Sequence, residues 1–141
     1  AAACIASNCL VSLIHLATGL YGRFGLSREE AFKALFPLIR GTIRNISQVG
    51  PAPALTGPVS RGDGPTLAGH LDVLKEVGPL ELDLYRKLSL YTVRVALEKG
   101  SISPAQAQDL ESIFKPLDKF ETRGGMARGE FLKTLACSSA P

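Results

Sequence analysis

A chain of 141 residues, 45% hydrophobic and 21% charged, is long enough for one domain with a real core and has the balance of an ordinary soluble protein. Its net charge of +3, with both signs interspersed, argues against a nucleic-acid or lipid-surface binder, which would gather Lys and Arg on one face. The three cysteines are odd in number and irregularly spaced, which argues against a disulfide framework and for reduced cytoplasmic thiols.

The first predicted element runs from about Ala2 to Phe24. Ala1 to Gly22 holds no Asp, Glu, Lys or Arg, so this helix is apolar on nearly every side and reads as the buried, central helix of the fold. It is long enough to span a bilayer, but Ser7, Asn8, Ser12, His15 and Thr18 interrupt it and no basic flank precedes it, so no membrane span is expected. The apolar run begins abruptly within helical sequence, as in a chain cut from something longer.

Gly25 closes this helix, and Ser27-Arg-Glu-Glu30 opens the next as a capping box. Ala31, Leu35, Leu38 and Ile39 carry helical spacing towards Val49. Pro37 removes one hydrogen bond of the ladder, so a kink or two abutting helices is expected there. Gly50-Pro-Ala-Pro then begins a long irregular connection. It holds Thr56, Arg61 and Asp63 among several glycines and prolines, and reads as the wall of a site or interface.

A further helix is predicted from Pro65 or Thr66 to Gly78, with Leu67, Leu71 and Leu74 on one face. Pro79 suits the first turn of the next, which runs to Lys99 with Leu84, Leu88, Tyr91 and Val95 as its apolar stripe and Gly100 as its stop. Ser103-Pro-Ala-Gln106 is a second capping box, opening a short helix to Ile113 or Phe114 that Pro116 ends. After Phe120 the pattern weakens, so residues 1–120 read as the domain and 121–141 as a tail, weakly structured or a short helix. No period-two alternation survives over a full strand, so the fold class is all-α, a multi-helix bundle.

Two constellations stand out. Cys4, Asn8, Ser12, His15, Gly19 and Gly22 follow steps of four and three, a polar and small stripe on an apolar cylinder. It reads either as a satisfied internal network with close helix packing or as a ligand-facing surface. In the connection, Arg61 offers a fork for an anionic group near a helix start, while Asp63 either holds Arg61 or caps that helix. His70 lies one turn further on. No serine-nucleophile arrangement, zinc spacing or phosphate loop is present, so no complete active site is expected.

Taken together, Ala6-Ser7-Asn8, Pro37-Leu-Ile-Arg-Gly-Thr42 with Asn45, and Leu55-Thr-Gly-Pro through Arg61-Gly-Asp63 with Thr66 and His70 resemble a known family. It is the C-terminal helical domain, domain of unknown function 2520, of Rossmann-like oxidoreductase-related proteins, and the resemblance extends over about Ala1 to Phe114. It implies a fold like the C-terminal domains of 6-phosphogluconate dehydrogenase and ketopantoate reductase relatives, which form homodimers through long helices. It also implies a parent with an N-terminal Rossmann domain that binds NAD(P), while this chain alone holds no cofactor and is inactive. Asn8, Thr56, Arg61, Asp63 and His70 are then candidate substrate contacts. In those relatives a Lys stands four residues before the Asn; here that position is Cys4, so the family's acid is not carried over.

Overall fold

The computed structural model describes residues 1–115. The stop at Pro116 and the tail at 121–141 lie outside the described residues. Among those residues every regular element is helical and none is a strand, so the all-α expectation is met. We number the helices α1 (Ala2–Gly22, with a π-helical turn at Ile5–Cys9), α2 (Arg28–Val49), α3 (Pro51–Ala54), α4 (Pro58–Arg61), α5 (Gly64–Lys75), α6 (Pro79–Lys99) and α7 (Pro104–Phe114).

Side chains reaching free backbone amides set most boundaries. The Ser27 hydroxyl accepts from the Glu30 amide at 3.2 Å while the Glu30 carboxylate accepts from the Ser27 amide at 2.9 Å, completing the capping box that starts α2. Ser103 and Gln106 repeat it at α7. Gly100, at φ 72°, ends α6 in the left-handed region where a side chain would be strained. Pro37 does not divide α2, which stays one helix from Arg28 to Val49.

The core lies in the second half of the chain. Val59 of α4, Leu67 and Leu71 of α5, Val93 and Ala96 of α6, and Ala107, Leu110 and Phe114 of α7 close around Ile102. The face of α6 turned to this core is not the predicted stripe. Ser89, Val93 and Ala96 are buried there, whereas Tyr91 is 66% exposed and Leu88 40%. Both faces of α6 carry apolar residues, so periodicity alone did not select one; small side chains let α6 approach α7 closely.

The position of α1 is the main correction to the sequence reading. It is not a buried central helix: it lies at the edge of the fold, packs against α2, and only its Thr18 is buried. Ile5 and Val11 are each 65% exposed. By length and composition alone this helix also suffices to cross a membrane. The outer side of α2 is apolar as well, with Phe32, Phe36 and Ile43 exposed. α1 and α2 thus form a two-helix arm with an oily exterior beside a well-packed body.

Candidate functional site

The connection expected to be irregular is largely folded. Gly50 and Gly57, at φ 86° and 94°, turn the chain into the single-turn helices α3 and α4, each with Pro at its first position. Val59 enters the core, Ser60 donates to the Ser101 hydroxyl at 3.1 Å, and Lys99 donates to the Leu55 carbonyl at 2.6 Å. Gly62 ends α4 at φ 67°, where the backbone favours glycine, and a Cβ there would stand 2.9 Å from the Gln106 amide of α7 and displace it.

Arg61 and Asp63 are held by each other and by α5, not by a cavity. Asp63 accepts from the Thr66 amide at 3.2 Å and the Thr66 hydroxyl at 2.8 Å, capping α5. These bonds, hydroxyl first and amide second, hold its carboxyl below the usual range against a small opposing effect of burial. Arg61 lies 3.7 Å from Asp63 with 64% of its side chain exposed, and it lines neither of the two cavities described next.

What does line a cavity is the junction of α2 with α3. A groove of about 580 Å³ is walled by Pro37, Leu38, Gly41, Thr42, Asn45 and Ile46 on α2 and by Pro51, Ala54, Leu55 and Thr56 beyond it. Asn45 Nδ2 donates to the Ala54 carbonyl at 3.2 Å, pinning α3 to α2 and leaving the amide oxygen as an acceptor. Nothing lies within 4 Å of where a Gly41 Cβ would stand, so that wall is open. Thr56 is the one candidate residue here. Asn45 and Gly41 were not singled out as site residues, although they fall four apart on the helix face that carries Pro37 and Leu38.

A second cavity, about 330 Å³, separates the arm from the body. Leu13, Leu16 and Leu20 of α1 face His70, Val73 and Leu74 of α5 and Tyr85 and Leu88 of α6. His70 Nδ1 is 2.8 Å from the Tyr85 hydroxyl, and burial raises the phenol above its ordinary value. Tyr85 packs edge-on against Phe114, tying this pair to the core. His70 was expected from the sequence and its partner was not, because fifteen positions on another helix give no local signal.

The stripe on α1 does not form an internal network. Asn8 is exposed in the π-helical turn, and its carbonyl accepts from Ser12 Oγ at 3.1 Å. Thr18 likewise bonds back to the His15 carbonyl at 2.9 Å, so these hydroxyls are satisfied within their own helix. Cys4 and Cys9 are exposed free thiols, and nothing lies within 4 Å of where a Cβ would stand at Gly19 or Gly22. Asn8, Thr56, Arg61 and His70 therefore do not converge on one point. Among the described residues no three His, Cys, Asp or Glu side chains gather as a metal site.

Set beside known proteins, the chain finds no match among curated proteins and none among solved structures. It does match a family profile, described as a domain of unknown function, over residues 1–92, which takes in α1 to α5, most of α6 and both cavities. The match stops short of Val93, Leu110 and Phe114, so part of the core lies beyond it. On that match, the chain belongs to the domain of unknown function 2520 family.

Proposed function

We propose that the chain is the helical half of a two-domain, NAD(P)-dependent oxidoreductase-like protein of the cytoplasm. In this reading it pairs with a second copy through α1 and the outer side of α2, and turns the groove at Asn45 and Thr56 towards the substrate side of the cleft. The single observation that carries it is the bare apolar arm: a 21-residue helix without a charged residue has one buried side chain, beside a second helix with Phe32, Phe36 and Ile43 exposed. Soluble monomers rarely leave so continuous an apolar surface open, and homodimer interfaces are richer in apolar area than ordinary surface. The association with a Rossmann domain is what the resemblance carried by Asn8, Asn45 and the Leu55 to Asp63 stretch implies, and the family match bears on the helical domain alone.

The chain's own residues hold no nicotinamide cofactor in this reading, since the strand, glycine-rich turn and helix that bind a pyrophosphate belong to the other domain. Reading the coding region upstream of Ala1 tests it. A strand followed by a glycine-rich turn and helix is the expected result, and a different domain there would remove the oxidoreductase assignment.

One observation favours a second reading. Arg61 faces solvent beside Asp63, and the candidate contacts do not converge, which fits a non-catalytic helical homodimerisation module. NADPH fluorescence of the chain joined to its upstream domain separates the two. Saturable quenching or enhancement supports the first reading, and its absence supports the second.

A further inference from the structure

The cavity between α1 and the body has features the arm's interface role does not use. Its walls are almost wholly hydrocarbon, from Leu13, Leu16 and Leu20 on one side and Val73, Leu74 and Leu88 on the other. The only polar side chains in that lining are His70 and Tyr85, already joined to each other at 2.8 Å. When the phenol donates to Nδ1, the second ring nitrogen of His70 keeps its proton and has no bond among the described residues, a donor left for an oxygen atom.

Size and charge restrict the occupant. A helix with its side chains is about 10–12 Å across, so 330 Å³ holds less than a full turn of one. That volume falls within the range of about 300–1,000 Å³ typical of pockets that take small molecules, apolar with a few placed polar groups. Beside it, sharing Leu16 and Leu20, lies a smaller pocket of about 290 Å³ with Arg23, Arg28 and Glu81 in its wall. Arg23 already donates to the Glu76 carbonyl at 3.1 Å and stands 3.9 Å from the Glu76 carboxylate. With Arg23 engaged by Glu76 outside the wall, Arg28 and Glu81 leave that wall one charge of each sign, so neither sign is favoured in a ligand.

We propose that the cavity between α1, α5 and α6 is a binding site for a small neutral molecule, mostly hydrocarbon, with one oxygen that accepts from His70. The site is separate from the groove at Asn45 and from the outer surface of the arm. A long-chain alcohol or ketone has this chemistry; a carboxylate of the same length does not.

Titration with the neutral fluorophore N-phenyl-1-naphthylamine tests the site. The expected result is a saturable rise in emission with one probe per chain. Val73→Trp and Leu88→Trp, each at a partly exposed position of the lining, fill the space and are expected to weaken the probe at least tenfold with the far-ultraviolet circular dichroism unchanged. Val11→Lys, outside the lining, leaves probe binding as it was even where it abolishes pairing of two copies. On the unaltered chain, 1-decanol displaces the probe and decanoate at equal free concentration does not.

A probe that fails to saturate, that binds the filled variants normally, or that is lost with Val11→Lys alone would overturn the site. The last of these outcomes would place the probe on the surface between copies. Displacement by decanoate as strongly as by decanol would overturn the neutral ligand.

Discussion

Asp63 illustrates how one side chain in a promising stretch is occupied with local structure. Its folded pKa is depressed, so the stability it contributes is fully present above the ordinary carboxylate value and is lost as pH falls through the lower, folded value. Asp63→Ala is therefore expected to lower the urea midpoint at pH 7, and the gap from the unaltered chain should narrow in strong acid, where the native carboxyl is protonated. Asp63→Asn, which keeps a cap acceptor, should stay close to the parent at neutral pH. A gap that is constant from pH 7 to pH 2 would mean the carboxylate charge is not what Thr66 binds. At Gly41 the opposite logic holds: an open position inside α2 offers no packing reason for glycine. Gly41→Ala should raise chain stability by about 0.5–1 kcal/mol, read as a higher urea midpoint. Should Gly41→Ala also weaken substrate binding in the two-domain parent, the glycine is there for the groove.

Among the elements, the body carries the stability and the arm does not. Phe114 is fully buried at the end of α7 against Tyr85, and Phe114→Ala is expected to cost about 3–5 kcal/mol, measured by urea unfolding. Amides of α1 should exchange with solvent hydrogen faster than those of α5 and α6 at dilutions where copies are apart, since α1 buries only Thr18. Much of this level was legible in the sequence. Both capping boxes, the proline starts of α6 and α7 and the stop at Gly100 are set by residues within four positions of one another, so local pattern suffices. What a helix packs against is not local. Leu84, Leu88, Tyr91 and Val95 form as regular a stripe as the true core face, and the charge-free run of α1 shows only that it avoids water, not what covers it. The candidate site divides the same way. Thr56 and His70 do line cavities, while Arg61 pairs with Asp63 and lines neither, and Asn45 and Tyr85 matter through partners that only the fold brings near.

At the scale of the whole molecule, α1 buries a single side chain, and the proposed pairing would make it an interior element of two chains. A bilayer would cover an apolar helix too, but it would leave unanswered the apolar side of α2, where Arg40 adjoins Phe36 and Ile43. In the proposed pairing a second copy covers both, each α1–α2 arm laid on its twin. Light scattering of the detergent-free chain at high micromolar concentration measures this directly. The account expects twice the chain mass, falling to a single chain in Val11→Lys with Phe36→Lys while helicity is kept; a single chain at every concentration without those changes would contradict it.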